Sequence, residues 1–265
     1  MLSAMSADLP DILTQIVAYK RSQLAGAVIP RHELELLGEE TRPHRRDFRA
    51  ALLDLEPAII AEIKHASPSK GALAARSDPA ALARAYEDGG AAALSVLTDE
   101  KFFHGSLDDL CMARGAVGLA VLRKDFTIDE YHVAEAAAHS ADAVLLIAAI
   151  LPEKRLRQLR EYAWRFRMAA LVEVHDQKEL DAALASGAEL IGVNNRNLHT
   201  FKDDLATSLR LAERIPAGLI KVSESGIRTA QDVHKLRQAG YDAFLVGEHL
   251  MRSHDPAQAL RELLR

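Results

Sequence analysis

AEIKHASPSKG at 61–71, LRKDF at 122–126, LVEVH at 171–175, IGVNNRNL at 191–198 and KVSESGI at 221–227 share one design. Each is an apolar, β-branched-rich run that ends in charged or amide side chains. Buried parallel strands are normally continuous apolar runs, because helices cover both of their faces. Charge recurring at the same end of such runs means that several strands deliver polar groups to one place. That is the layout of the C-terminal face of a (β/α)8 barrel, where the active sites of that fold sit. Glu62, Lys64, Lys124, Glu173, Asn194 and Arg196 are the side chains the pattern singles out.

Working outward, strand-like runs occur at 58–63, 92–97, 117–122, 143–148, 169–174, 189–193, 219–223 and 243–247. Amphipathic helical stretches separate them, at 78–90, 106–115, 129–140, 153–166, 177–187, 207–215 and 229–240, and 255–264 closes the series. Asp78 and Thr229 suit N-caps, and Gly89, Gly187 and Gly240 suit C-caps. Eight β-then-α units specify an α/β protein with a parallel sheet. An open, doubly wound sheet would gather its polar residues at one switch point. Here they follow nearly every strand, which predicts closure into a TIM barrel. The reading is a single domain, 1–265, with the barrel over 48–265 and a helical extension over 1–47. In that extension Leu13, Ile16, Val17 and Leu24 have helical spacing up to Gly26, and a second helix follows Pro30 and ends at Gly38. The basic segment RPHRRDFR (42–49) reads as a solvated connection whose Phe48 docks on the core.

The 265 residues, 49% of them hydrophobic, suffice for one such barrel of about 250 residues. A net charge of −5 gives no general attraction to nucleic acid or to an anionic membrane. An anionic small-molecule substrate must then be held by a local cluster of cations. The one cysteine, Cys111, excludes an internal disulfide, suits a reducing cytoplasm, and reads as a buried small hydrophobe in a helix. Asp8 and Asp11 interrupt the N-terminus before a signal peptide could form, and the longest apolar run, 143–151, is far short of the ~20 residues a bilayer requires. Eleven histidines show no metal-ligand spacing, so no metal is expected; His65, His104 and His175 are the ones expected near the barrel mouth.

Side chains alternate across a strand, so Glu62 and Lys64 point the same way, as do Asn194 and Arg196. Facing the helix layer, such charges would be buried at a cost of several kcal/mol unless paired. Facing the mouth, they meet a ligand. Ser223, Ser225 and Gly226 after the seventh strand, and Gly247 after the eighth, stand in the two loops that build the phosphate site of many barrels. The small-residue loop SPSKG (67–71), with Ser67, Ser69 and Lys70, reads as a flap with Lys64 at its root. Phe102 and Phe103 are placed to wall an aromatic ring.

The strings IIAEIKHASPSKG, LTDEKFFHGS, LRKDF, LVEVH, IGVNNRNL, VSESGI and FLVGEHLM, in that order, resemble the indole-3-glycerol phosphate synthases over about residues 48–252. The resemblance implies decarboxylative ring closure and dehydration of 1-(2-carboxyphenylamino)-1-deoxyribulose 5-phosphate, in tryptophan biosynthesis, with no cofactor. It implies Lys124 as the general acid at the substrate carbonyl, and Glu173 and Glu62 as carboxylates steering the amine and assisting proton removal. Lys64 resembles the lysine that holds an anionic group and shares in proton transfer. Asn194 and Arg196 resemble groups that bind hydroxyls and the carboxylate region. Phe103 and Phe126 would line the aromatic pocket, Ser67 and Glu224 would contact substrate, and Ser225, Gly226 and Gly247 would hold the phosphate. Glu248 departs from members with serine there, since a carboxylate cannot favour phosphate. The expected protein is a cytoplasmic monomer or weak homo-oligomer without nucleic-acid or membrane partners. The competing readings are a phosphosugar isomerase, which would need a Cys/Asp or Glu/His pair, a metal-dependent epimerase, and a catalytically silent barrel.

Overall fold

Two apolar layers, one on each face of a closed ring of strands, account for the architecture. The computed structural model describes residues 11–67, 71–72 and 78–265, with only the backbone described at 67, 71 and 72. Strands β1 (Ala58–Ile63), β2 (Ala93–Leu97), β3 (Ala120–Lys124), β4 (Ala143–Ile147), β5 (Ala169–Val174), β6 (Leu190–Asn194), β7 (Ile220–Glu224) and β8 (Ala243–Val246) pair in parallel, and β8 returns to β1. Outward residues such as Ile59, Leu94, Val121, Val172, Ile191 and Phe244 pack beneath the helices. Inward residues such as Ile60, Leu122, Leu145, Leu171, Val222 and Leu245 fill the barrel. Strand periodicity of two carries each inward row up to a polar rim. Ala58 and Ile60 lead to Glu62, Leu122 to Lys124, Leu171 to Glu173, Leu190 to Asn194 and Val222 to Glu224.

Three helices precede the ring: α1 (Asp11–Ala25), α2 (Arg31–Thr41) and α3 (Phe48–Leu53). Phe48 and Leu52 of α3 are 1% exposed and plug the lower end of the barrel, as the sequence predicts for Phe48. Around the ring run α4 (Pro79–Gly89), α5 (Glu100–Phe103), α6 (Leu107–Ala116), α7 (Glu130–Ala138), α8 (Glu153–Arg165), α9 (Gln177–Ala185), α10 (Ala206–Ala212), α11 (Ala230–Gln238), α12 (Glu248–Met251) and α13 (Pro256–Leu263). Among the described residues no helix is long and apolar enough to cross a membrane.

Several local expectations are corrected. The third strand starts at Ala120 rather than at 117, because Val117 still caps α6 and the Gly118 N–H donates to Glu87. Lys124 therefore ends β3 as a residue of the sheet. Gly38 does not stop α2. A Cβ there would lie 2.9 Å from the Ala137 Cβ and 3.0 Å from the Phe166 ring, so this glycine lets α2 pack closely and the helix continues to Thr41. Gly90, at φ 94°, caps α4 in place of Gly89. Arg45 and Arg46 are not solvated: they donate to the carbonyls of Ala137, Ala141, Phe166, Leu119 and Arg114 beneath the barrel. Cys111 is exposed, not buried.

Candidate active site

A cavity of about 480 Å³ opens at the C-terminal ends of the strands. It gathers Glu62, Lys64, Phe103, Lys124, Phe126, Glu173, Asn194, Arg196, Glu224, Ser225, Gly226 and Gly247, whereas Ser223, also expected at the phosphate loop, is fully buried against Asn195 and Ser208 outside it. Ser67 is described in its backbone only, in a two-residue strand facing 71–72. Ser69, Lys70 and the flap expected there lie outside the described residues. Phe102 does not reach the cavity. Its ring stacks edge-on against Tyr19 of α1, with centroids 5.8 Å apart.

The rim is a charged lattice with little water access. Lys64 Nζ donates to Glu62 Oε1 at 2.6 Å, as their shared strand face requires. Lys124 Nζ donates to Glu173 Oε2 at 3.0 Å and lies 3.2 Å from Glu224 Oε2. Burial favours a neutral Lys124, but Glu173, Glu224 and Glu62 together outweigh it and hold the ammonium's pKa well above its ordinary value. Burial also opposes ionisation of Glu62 and Glu173. Lys64 and Lys124 for the first, and Lys124 and His175 for the second, keep both pKa values below the usual carboxylate range. Glu224 is the surplus acid. Burial, with Glu173 and Glu62 close by, pushes it up to about 7 although Lys124 pulls it down. Three inner carboxylates thus share two ammonium groups. Glu173 Oε1 also faces His175 Nε2 at 3.4 Å, while His175 Nδ1 bonds Glu179 Oε2 at 2.9 Å.

Two glycines make room for these carboxylates. A Cβ on Gly192 would lie 2.1 Å from Glu224 Oε1, and one on Gly247 2.3 Å from Glu62 Oε1. The space above Gly247 is therefore occupied by Glu62, and only the backbone of this glycine can meet a ligand. After β7, Ser225 and Gly226 both take left-handed conformations, at φ 67° and 78°. The turn is fixed from below by Asn195, whose Nδ2 donates to the Ser223 hydroxyl and to the carbonyls of Glu224 and Ser225. A positive φ at a non-glycine residue stores strain that recurs at functional sites.

Arg196 is clamped by Asp203 through two bonds, Nε at 2.7 Å and Nη2 at 3.1 Å, and lies 3.6 Å from Glu248. Glu248 also pairs with Arg252 at 3.2 Å, so its charge, unexpected beside a phosphate turn, is directed at two arginines. On the opposite wall the Phe103 and Phe126 rings stand 6.0 Å apart. Ile12, Leu13 and Ile16 of α1 complete that side.

Behind the wall lies a network that the sequence did not reveal. Arg123 and Asp125 alternate with Lys124 and so face the helix layer. Arg123 Nη2 bonds Asp125 and Glu135, and Lys20 of α1 reaches Asp125 at 2.7 Å and Asp99 at 3.0 Å. Asp203, Asn195 and the Lys20 partners carried no sequence signal beyond polarity. Arg123 and Asp125 could have been assigned outward from strand alternation once Lys124 was assigned inward. His65 is buried 3.4 Å from Asp109, and neither it nor His104 lines the cavity. Among the described residues no group of three or more His, Cys, Asp or Glu side chains is placed to hold a metal ion.

The family model described as indole-3-glycerol phosphate synthase matches residues 13–263. The chain is 51% identical to the indole-3-glycerol phosphate synthase of Bordetella pertussis, over 96% of this chain and 99% of that protein. It is 49% identical to that of Polaromonas naphthalenivorans, over 96% and 98%. With the Koribacter versatilis protein of the same description the identity is 46% over the full length of both. Among solved structures the fold is shared with 3-hexulose-6-phosphate synthase, at TM-score 0.62 and 16% identity over 78% of this chain and 98% of that one. It is shared also with thiamine phosphate pyrophosphorylase from Pyrococcus furiosus, at TM-score 0.58 and 17% identity over 80% and 94%. At these identities the two structures speak for the barrel alone.

Proposed function

The chain belongs to the indole-3-glycerol phosphate synthase family, and from that premise we propose how its rim residues divide the reaction. The activity is that of a carboxy-lyase of tryptophan biosynthesis: ring closure of 1-(2-carboxyphenylamino)-1-deoxyribulose 5-phosphate, with loss of CO₂ and water, gives indole-3-glycerol phosphate.

Lys124 protonates the substrate carbonyl oxygen as the ring carbon attacks it. The observation that carries this reading is the position of its ammonium, facing the cavity between Glu173 and Glu224, with Glu62 nearby keeping it protonated at neutral pH. Proton donation from a group already loaded and oriented contributes typically ~10²–10⁴-fold. Glu173, ionised and 3.0 Å from Lys124, and Glu62 steer the amine and accept the proton lost in dehydration. Lys64, tied to Glu62, neutralises an anionic substrate group. Phe103, Phe126, Leu13 and Ile16 supply the surface for the aromatic ring. At the other end the backbones of Ser225, Gly226 and Gly247 hold the phosphate. Arg196 stands beside that turn, between Asp203 and Glu248, which moves its proposed contact from the carboxylate region to the phosphate end, and Asn194 remains a partner for the hydroxyls. Glu224 contacts the substrate as the inner carboxyl group of highest pKa, and Ser67 is assigned on resemblance alone.

We further infer one domain, with 1–47 as the extension and 48–265 as the barrel. The setting inferred is cytoplasmic, with a monomer or weak homo-oligomer and no nucleic-acid partner. The test of the whole reading is indole fluorescence from the purified chain and the carboxyphenylamino-deoxyribulose phosphate in chelator-containing buffer. No indole signal from folded protein would overturn it.

A further inference from the structure

His175 has no part in the proposed reaction beyond helping to keep Glu173 ionised, yet its place is specific. Its Nδ1 is fixed by Glu179 Oε2 at 2.9 Å, and the backbone N–H of His175 donates to that same oxygen at 2.8 Å. Its Nε2 is buried, makes no hydrogen bond among the described residues, and points at Glu173 Oε1 from 3.4 Å. Because Nδ1 faces a carboxylate, it carries a proton. A neutral ring would then turn the Nε2 lone pair toward a second carboxylate, which is repulsive, whereas an imidazolium meets attraction on both sides. The charged groups facing the ring are Glu173 on β5, Glu179 on α9 and Glu224 on β7, all acidic. Against the opposing effect of burial, they raise the ring's pKa above its ordinary value.

The proposed reaction has a proton balance that such a group can meet. Two protons go to oxygen, one to the carbonyl during ring closure and one to the departing hydroxyl. One proton returns from carbon in dehydration. A carboxylate leaves as CO₂, so each turnover draws one net proton from solvent, while the substrate itself fills the mouth.

We propose that His175 is a proton reservoir that reloads Lys124 through Glu173. The His175 Nε2–H bond breaks as the Glu173 Oε1–H bond forms. The Glu173 proton then passes to the neutral Lys124 amine 3.0 Å from its other oxygen, restoring the ammonium. The ring is left neutral with its proton on Nδ1 toward Glu179; because Nε2 is buried, the second proton returns by the same route once product has left, from water in the emptied cavity to Glu173 Oε1 and on to Nε2. His175 does not touch substrate and acts only through Glu173. The proposal rests on Lys124 and Glu173 having the roles given above.

The test uses His175→Ala and Glu179→Gln in the full chain, with folding checked by circular dichroism. His175→Ala is expected to lower kcat about tenfold, a barrier change of ~1.4 kcal/mol, at unchanged KM. Imidazole added to the buffer should restore kcat of this variant in a concentration-dependent, saturating way and leave the wild type unaffected. Glu179→Gln keeps an acceptor for the ring but not its charge, so the pH above which kcat declines should move down. Wild-type kcat in folded His175→Ala, a loss that imidazole does not restore, or an unmoved Glu179→Gln profile would each overturn the proposal. If His175→Ala does not fold, the Glu179→Gln profile decides. The acid role of Lys124 is read separately from Lys124→Ala, so failure of that role and failure of the reservoir are told apart.

Discussion

The Lys20 ammonium on α1 lies 2.7 Å from Asp125 Oδ1, and through that contact the N-terminal extension holds the residue between Lys124 and Phe126. The same ammonium is 3.0 Å from Asp99, whose other oxygen accepts the Phe102 N–H and starts the helical turn that carries Phe103. One buried lysine, 4% exposed, therefore fastens both segments that carry the aromatic wall of the cavity.

Removing one partner of a buried ion pair costs ~3–5 kcal/mol, because the other charge stays buried. Lys20→Met should accordingly lower the thermal midpoint by several degrees, read by differential scanning calorimetry. KM should rise more than kcat falls, since the walls loosen and the acid remains. An unchanged KM in the folded variant would confine Lys20 to stability. Deleting residues 1–40 should have a larger effect of the same kind, because Ile12, Leu13 and Ile16 leave the cavity with it.

Lys124→Ala should lower kcat by ~10² or more with a much smaller change in KM, the mark of an interaction made in the transition state. Lys124→Arg should not recover it, because guanidinium keeps the charge but does not release a proton near neutral pH. Steady-state kinetics of both variants decide, and near-wild-type kcat in Lys124→Arg would leave Lys124 as a counter-ion only.

Glu224 titrates near 7, so raising the pH through that value adds a negative charge to a rim that receives an anionic substrate. KM of the wild type should increase between about pH 6 and pH 8. Glu224→Gln, neutral throughout, should flatten that increase. Parallel KM curves for the two proteins would exclude Glu224 as the group responsible.

His132 supplies a stability test. Burial, helped by Arg123, lowers its pKa from the ordinary 6.5 to about 4, and its Nδ1 accepts the Ile128 N–H. The unfolded chain takes up a proton on this ring below about pH 6.5, which the folded chain does not do until about pH 4. The ring's contribution to stability is thus complete above pH 6.5 and is lost as the pH falls toward 4, at up to ~1.4 kcal/mol per pH unit. Glu224, with its raised pKa, slopes the opposite way, so the measurable quantity is the difference from His132→Gln. Urea unfolding at pH 7 and pH 5 should show the variant losing less stability than the wild type over that interval.

The barrel was legible because eight apolar runs keep their identity whichever way the ring turns, and because Glu62, Lys124 and Glu173 fall at equivalent ends of them. The limits were set by one-residue questions. Val117–Leu119 has strand composition but forms the bend between α6 and β3, with Val117 as the helix C-cap, and Gly38 looks like a stop although α2 needs it to approach α7. Lys20 reaches the site from a helix distant in sequence, and Asp203 from the far side of the loop that Arg196 opens. Their partners, Arg196 and Asp125, are chosen by tertiary placement, which no local pattern encodes. Glu224, expected from the sequence only as a substrate contact, adds a third carboxylate to the rim, and its raised pKa follows from burial among the other two.

Gly192 and Gly247 carry no functional atom beyond their backbones, yet they set which acids the rim can hold. Each neighbouring carboxylate rests in the volume a methyl group would fill. A scan that replaces charged residues one at a time would pass over both positions, while Gly192→Ala would displace Glu224 without altering a single charge. In a redesign of this barrel, such a glycine and the acid across from it form one inherited unit. Moving the carboxylate to another strand requires moving the missing side chain with it.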